Sequence, residues 1–95
     1  MHIIEVKDKS GRNIYLTDER WKHISKHPEM QDKFALERIK ETLMIPNVIT
    51  QDKYDIKKYV YYRFYKDRGR HLLVSVKYLN GNGFIISSFD TDKIR

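Results

Sequence analysis

Residues 59–65 read YVYYRFY and residues 71–78 read HLLVSVKY, and these two segments decide the fold. Successive side chains of a β-strand point to opposite faces of the sheet, so apolar residues at every second position predict a strand with one buried face. Two antiparallel strands joined by the turn at residues 66–70 are therefore predicted. Their apolar faces consist of Val60, Tyr62 and Phe64 in the first strand and Leu72, Val74, Val76 and Tyr78 in the second.

The opposite faces of these two strands are polar and positively charged. Alignment of the apolar faces across the turn brings the polar side chains together on the other surface of the sheet, because register fixes the face that each side chain takes. We expect Tyr61, Arg63, His71, Ser75 and Lys77 on that surface.

The stretch NGNG at residues 80–83 is a strong hairpin signal, and it predicts a third strand near residues 83–89. The number of residues in its loop decides which serine of that strand joins the face of Lys77. An even number places Ser88 there, whereas a three-residue loop with a bulge places Ser87 there instead. We predict Ser88.

The part of the chain before these strands is predicted to form a hairpin and a helix. Residues 3–7 and 13–16 flank DKSG at residues 8–11, a turn-forming cluster that favours a small opening hairpin. Thr17, followed by two acidic residues, predicts the start of the first helix, because its hydroxyl can accept hydrogen bonds from free backbone N–H groups. We place the end of this helix at Pro28, since the residue before a proline avoids helical angles.

A second helix is predicted from near Pro28 or Gln31 to about Met44. Apolar side chains at positions 35, 36, 39 and 43 form its buried stripe, and Pro46 stops it. The predicted fold class is α+β, with two helices packed on one face of an antiparallel sheet of about four strands. Ninety-five residues are enough for one domain, residues 1–95.

The charge balance points to an acidic partner. Lysine and arginine outnumber aspartate and glutamate by 19 to 13, which gives a formal charge of +6 and favours phosphate-rich partners such as RNA. A solvated surface of mixed charge explains the balance equally well. The chain has no cysteine, so disulfides and thiolate sites are excluded. No apolar run has the length of a signal peptide or a membrane span, and we expect a cytoplasmic protein without membrane partners.

The segment WKHISKHPEM at residues 21–30 holds the strongest chemical signal. Its imidazoles, His23 and His27, stand four residues apart, and imidazole both gives and takes protons near neutral pH. His-x-x-x-His also binds zinc from one helix face, but Pro28 breaks that helix, and no HExxH glutamate or cysteine adds further ligands. We therefore expect no metal and no other cofactor. Structural roles explain both histidines as well, one beside Trp21 and one at a helix end.

Four features together resemble small phage-type nucleases of the barnase, EndoU, colicin and RelE-like group: the order of elements, LTDERWKHISKHPEM at residues 16–30, YVYYRFY, and SSFDTDKI at residues 87–94. The resemblance implies a two-helix, four-stranded fold and metal-free cleavage of RNA through attack of the ribose 2′-OH on the adjacent phosphate. The chain departs from barnase-like sites because it lacks an obvious Glu/His acid–base pair on its strands. The catalytic residues that the resemblance implies are His23, His27, Arg63, Ser88 and Thr91.

The residues supply each group that this chemistry needs. Two histidines of opposite protonation provide a base for the 2′-OH and an acid for the leaving oxygen, while Arg63 and Lys77 balance the charge of the transition state. The hydroxyls of Ser88 and Thr91 are suited to phosphate oxygens. Tyrosines that flank Arg63 are suited to stacking on unpaired bases. The predicted nucleic-acid contacts are Tyr61, Tyr65, Arg70, His71 and Lys77.

Two functions fit this pattern. The first is a metal-independent endoribonuclease of phage or toxin type. The second is a non-enzymatic basic module that binds nucleic acid or an acidic protein partner, such as an antitoxin or inhibitor. Only a nuclease needs His23 or His27 near Arg63. Helices normally cover the opposite face of a sheet, so we expect the histidines to reach Arg63 only around an edge or at a strand end.

Overall fold

A computed structural model describes residues 2–94, and these residues form six strands and two α-helices. In chain order the elements are β1 (His2–Lys7), β2 (Asn13–Thr17), α1 (Asp18–Ile24), a single 3-10 turn (Pro28–Met30), α2 (Ala35–Met44), β3 (Val48–Gln51), β4 (Lys58–Tyr65), β5 (Arg70–Leu79) and β6 (Asn82–Thr91). The strands lie in the order β1-β2-β6-β5-β4-β3, and every neighbouring pair is antiparallel except β2 and β6. The predicted α+β class with two helices is confirmed, but the prediction of about four antiparallel strands is wrong.

The parallel contact between β2 and β6 explains part of this difference. It joins the opening hairpin to the sheet through the Cα pairs Ile14–Gly83 and Tyr15–Phe84. A Cβ atom on Gly83 would lie 2.9 Å from the side chain of Tyr78, so the close approach of the strands at this point requires glycine. A contact between strands so distant along the chain leaves no local pattern, and the sequence therefore does not predict it.

Both helices and the 3-10 turn pack against one face of the sheet, which we call the helix face; the other is the open face. α1 begins after Thr17 as predicted, since the Thr17 Oγ1 accepts the N–H of Arg20 at 3.3 Å. α1 ends at Ile24, before the predicted end at Pro28. α2 ends at Met44 as predicted, but it begins at Ala35, so the predicted start near Pro28 or Gln31 is wrong. No helix within residues 2–94 is long and apolar enough to cross a membrane. The buried apolar core consists of Ile4, Ile14, Leu16, Ile24, Met30, Ala35, Ile39, Leu43, Tyr61, Leu72, Val74, Val76, Tyr78 and Ile85.

The two faces of β4 are reversed relative to the prediction. Tyr65 pairs with Arg70, so the connection to β5 is a four-residue loop, residues 66–69, instead of a five-residue turn. Gly69 fits this loop with a φ of +67°. A difference of one residue exchanges the faces of the whole strand. The side chains that β4 turns toward the helix face are therefore Tyr59, Tyr61, Arg63 and Tyr65.

A bulge in β6 changes the predicted position of the serines. The β5–β6 loop has two residues, 80–81, both with positive φ, and this even loop alone would turn Ser88 to the open face. The register shifts at Ile86, however, and Ser75 pairs with Ser87. The extra residue moves Ser87 to the open face and buries Ser88 on the helix face, so the prediction of Ser88 is wrong.

Candidate active site on the open face

A groove of about 610 Å³ runs along the open face of the sheet. Its floor comes from alternate residues of neighbouring strands, because these side chains point away from the helices. Hydroxyl groups and aromatic rings both line it, so it offers hydrogen bonds as well as stacking surfaces. The lining residues are Thr50, Gln51, Asp52, Lys53, Lys58, Val60, Tyr62, Leu73, Ser75, Ser87 and Phe89.

Two histidines lie at one end of the open face. His71 of β5 lies between Phe64 of β4 and Thr91 of β6, its Cα partners in the sheet. The rings of His71 and Phe64 are 5.1 Å apart and meet edge to face. Phe89 is two residues before Thr91 on β6, and its ring lies 5.5 Å from the ring of His27. We call His27, Phe64, His71, Phe89 and Thr91 the histidine end.

His27 reaches the open face around a free edge of β6. Among residues 2–94, β2 pairs only with the first residues of β6, so the second half of β6 has no strand on that side. The 3-10 turn packs there, and the backbone N–H of Asp90 donates to the carboxylate of Glu29 at 3.2 Å. His27 is extended just before this turn, with a ψ of 126°, and its ring meets Phe89. One predicted histidine thus reaches the open face around an edge.

Glu29 connects the 3-10 turn to the charges around it. Burial alone raises the pKa of Glu29, but hydrogen bonds from its own backbone N–H and that of Asp90 lower it, and the net pKa lies below its usual value. The charges of His27 and Arg70 lower this pKa further. Arg70 also forms an exposed ion pair with Asp92 at 2.9 Å, which solvent screens. Arg70 is the Cα partner of Tyr65, so its side chain leaves β5 on the helix face, next to the strand position of His71.

Three lysines lie at the other end of the groove, where Asp52 also lines it. Lys58 and Lys77 are Cα partners on β4 and β5, and Lys53 lines the groove beside Lys58. Lys77 also contacts Asp55 at 3.0 Å in a partly exposed ion pair. We call Lys53, Lys58 and Lys77 the lysine end. His71 and Lys77 lie six positions apart on β5, so the two ends are roughly 20 Å apart.

Arg63 and Tyr65 contact α2, and their predicted placement on the opposite surface is wrong. Arg63 donates a hydrogen bond of 2.7 Å to the carbonyl of Ile45 and lies 3.3 Å from Glu41, so it binds the C-terminal end of α2. The hydroxyl of Tyr65 donates to the same carboxylate at 2.8 Å. Burial raises the pKa of Tyr65 to about 12. The four-residue loop before β5 causes the difference from the predicted placement, because it turns this side of β4 toward the helices.

Tyr61 is also misplaced by the prediction, and it belongs to a buried polar network. Its hydroxyl lies 2.5 Å from the hydroxyl of Tyr78, which donates to the carboxylate of Asp8 at 2.7 Å. The guanidinium of Arg12 lies 3.7 Å from the centre of the Tyr78 ring and 3.2 Å from the same carboxylate. The network attaches the β1–β2 turn to the helix face of the sheet.

Asp8 is buried and yet strongly acidic. Burial alone raises the pKa of Asp8, but hydrogen bonds from the side chains of Ser10 and Tyr78 and from the backbone N–H groups of Arg12 and Ser10 outweigh it and lower the pKa to about 2. The sequence predicts no role for Asp8 beyond the turn. The sequence feature that indicates its hydrogen bonding is its position at the start of a turn, where an aspartate side chain commonly accepts a hydrogen bond from the backbone N–H two residues later.

The remaining predicted site residues are divided between surfaces. Ser88 is 0% exposed on the helix face, and His23 lies on the exposed side of α1. Thr91 lies on the open face, where its hydroxyl donates to the carbonyl of Lys93 at 3.2 Å. The structure makes His71 and Thr91 Cα partners and sets His27 against Phe89 near them, and it places Lys77 at the far end of the same face.

Three side chains of the open face were not predicted from the sequence. The sequence places Phe64 in the core and predicts no role for Phe89 or Lys58. Phe64 and Lys58 follow from strand alternation once the loop at residues 66–69 has its true length, whereas Phe89 follows from the bulge at Ile86. Within residues 2–94, no three histidine, aspartate or glutamate side chains are grouped closely enough to hold a metal ion.

Comparison with known proteins agrees with the resemblance inferred from the motifs. The model of a family described as phage-Barnase-EndoU-ColicinE5/D-RelE like nuclease2 matches residues 5–94. The match includes both helices, the 3-10 turn and the five strands from β2 to β6. No curated protein matches the chain. The resemblance to this group of nucleases is therefore confirmed.

Proposed function

The chain belongs to this family of phage-type nucleases, and we propose that it is a metal-independent endoribonuclease whose substrate lies in the groove of the open face. The position of two histidines beside Phe89 carries the proposal. The ring of His27 is 5.5 Å from that of Phe89. His71 is the diagonal neighbour of Phe89 across β5 and β6, and the Cα atoms of such neighbours are about 7–8 Å apart.

Two imidazoles in this arrangement supply the acid and the base for cleavage of RNA by its own 2′-OH. The neutral imidazole takes the 2′-OH proton as O2′ bonds to the adjacent phosphorus, and the bond from phosphorus to the 5′ oxygen breaks. The protonated imidazole gives its proton to that oxygen. The products are a 2′,3′-cyclic phosphate and a 5′-OH, and the two histidines have exchanged protonation states.

The surrounding side chains suit an RNA strand. The protonated imidazole of the proposed pair balances part of the charge on the reacting phosphate. The lysine end, roughly 20 Å away, suits phosphates further along the strand. Phe64 and Phe89 present rings on the open face, and unpaired bases stack on such rings.

In this proposal His71 is the second proton-transfer residue, the role that the sequence motif assigns to His23. His23 lies on the exposed side of α1, whereas His71 lies on the strand next to Phe89. Arg63 and Ser88 have no part in the proposed chemistry, because both lie on the helix face. Of the catalytic residues that the resemblance implies, His27 and Thr91 remain beside the proposed site, Thr91 as the Cα partner of His71.

The proposal is tested with purified protein and mixed RNA in EDTA, with the ends of the products identified by mass spectrometry. We expect cleavage that leaves 2′,3′-cyclic phosphate ends. His27→Ala and His71→Ala should each lower the rate by roughly 10²–10⁴-fold, because each removes one partner of proton transfer.

His23→Ala is the matched control, since it removes an imidazole of the same segment that lies away from the groove. It should cleave at nearly the rate of the unchanged protein. Loss of activity in His23→Ala together with full activity in His71→Ala would contradict the proposed pair. Absence of RNA cleavage by the unchanged protein would contradict the enzymatic function itself.

A further inference from the structure

Three aromatic side chains form a row on the open face beyond the lysine end. Phe84 of β6, Tyr15 of β2 and His2 of β1 lie on neighbouring strands. The rings of Phe84 and Tyr15 are 5.7 Å apart and those of Tyr15 and His2 are 4.3 Å apart, and both pairs are inclined by 35°. We call these three side chains the aromatic row.

The aromatic row continues directly from the groove. Phe84 is the Cα partner of Lys77, and Lys77 is the Cα partner of Lys58, so the row starts beside the lysine end. The three strands β6, β2 and β1 then extend it to the edge of the sheet. A strand of RNA that leaves the groove at the lysine end therefore meets these rings next.

Packing alone does not explain the aromatic row. Cross-strand aromatic pairs do stabilise sheets, and Tyr15 and Phe84 are Cα partners where β2 meets β6. The rings nevertheless lie outside the hydrophobic core, on the face away from the helices. Tyr15 and Phe84 are half-buried and His2 is exposed, so part of each ring surface is accessible.

The charges around the aromatic row favour a phosphodiester strand. Lys58 and Lys77 stand at its start, and Lys7 lies on the same face of β1. Glu5, the Cα partner of Tyr15, is the acidic residue nearest to the row along that strand. Bases that stack on the rings would place their phosphates between these lysines.

We propose that the aromatic row is a second subsite for single-stranded RNA, on which the bases of the strand leaving the groove at the lysine end stack. The proposal rests on the proposed function, because it takes the groove as the place where the same strand is cut. Stacking requires exposed base faces, which a duplex does not offer. Long single strands should therefore bind more tightly than short ones, and the difference should depend on these rings.

The test measures binding apart from cleavage. Fluorescence anisotropy is recorded with 2′-O-methyl oligouridylates of three and ten nucleotides, which have no free 2′-OH and cannot be cut by its attack. The double variant Tyr15→Leu with Phe84→Leu keeps apolar side chains but removes the ring faces. We expect the Kd for the ten-nucleotide strand to rise about tenfold for each lost ring, and the Kd for the three-nucleotide strand to stay unchanged.

Phe34→Leu is the matched control, since Phe34 is an aromatic side chain with 56% exposure beside α2. It should leave the Kd for both strands unchanged. If the double variant does not fold, as judged by circular dichroism, His2→Ala provides the same test at the exposed end of the row. It should also weaken binding of the long strand alone.

An unchanged Kd for the long strand, or an equal rise for both lengths, would overturn the proposal. Equal binding of a ten-base-pair duplex would overturn it as well. If the unchanged protein binds the long strand through these rings but cuts no RNA, the subsite stands and the proposed nuclease function fails. If it cuts RNA but the ring variants bind normally, the nuclease function stands and the subsite fails.

Discussion

The helix face and the open face of the sheet carry similar side chains in different situations. On the helix face, Arg63 and Tyr65 are bound to α2, and Tyr61 is buried in the network of Asp8. On the open face, His71 and the lysine end line or adjoin a groove. Arginine and tyrosine on one strand look like a nucleic-acid surface in sequence, yet in this protein they hold the helices and the opening hairpin.

The difference teaches that the partners of a polar side chain decide its role. A buried hydrogen-bonded group stabilises the fold, because its removal leaves a partner unsatisfied. An exposed cation contributes little to stability and is available to a ligand. Substitutions on the helix face should therefore change the free energy of unfolding, whereas substitutions on the open face should change binding and cleavage.

The largest expected effect on stability concerns Arg68 on the helix face. A guanidinium nitrogen of Arg68 lies 2.6 Å from a carboxylate oxygen of Asp90, whose side chain is 4% exposed. Arg68→Met leaves that carboxylate buried without its cation and should lower the free energy of unfolding by about 3–5 kcal/mol in urea denaturation. Arg70→Met removes the exposed pair with Asp92 and should cost less than about 1 kcal/mol. Equal losses of unfolding free energy in the two variants would contradict the expected difference between buried and exposed ion pairs.

A fall in pH should lower the free energy of unfolding through protonation of Asp8. The pKa of Asp8 is about 2 in the folded protein against an ordinary value of 3.8, so folding favours its charged form. The resulting contribution, about 2 kcal/mol, is present above pH 4 and is lost as the pH falls toward 2. Urea denaturation at several pH values should show this loss, and Asp8→Asn should abolish it. Asp67→Asn, in an exposed turn, should keep the full pH dependence.

On the open face, the lysine end should control the salt dependence of RNA binding. Each phosphate contact releases counterions, so the logarithm of affinity for single-stranded RNA should fall linearly with the logarithm of salt. Lys58→Ala should reduce that slope by about 0.7 and leave the free energy of unfolding nearly unchanged. Lys40→Ala, on α2 beside Glu37, is the control and should keep the slope. A slope of zero in the unchanged protein would exclude a phosphate-binding face.

The smallest expected effect concerns Ser88. Its hydroxyl is buried on the helix face and has no hydrogen-bond partner among the described residues. Ser88→Ala should therefore leave the free energy of unfolding unchanged or raise it by up to about 1 kcal/mol, and RNA cleavage should be unaffected. A large loss of cleavage with unchanged stability would restore Ser88 to the catalytic set.

The sequence predicts the local elements of this fold well. The opening hairpin, the start of α1 after Thr17, the end of α2 at Met44 and the hairpin at NGNG each depend on a few neighbouring residues. Capping residues, prolines and the NGNG turn act over that range, so their patterns can be recognised directly.

The faces of the strands could not be predicted, because they depend on single residues in loops and on contacts far apart in sequence. One residue fewer in the loop at 66–69 turns Tyr61 and Arg63 toward the helices, and one extra residue at Ile86 buries Ser88. His27 was identified as a candidate, but its meeting with Phe89 depends on the free edge of β6. The parallel pairing that leaves this edge free has no local signal.

The pH dependence of kcat/KM in the single histidine variants tests the catalytic pair of the open face most directly. The unchanged protein, assayed in EDTA, should give a bell-shaped profile between about pH 5 and 8, because one imidazole must be neutral and the other protonated. His27→Ala and His71→Ala should each lose one limb of that profile, and not the same one, while His23→Ala should keep both. Retention of both limbs in His27→Ala and His71→Ala would contradict the assignment of proton transfer to the open face.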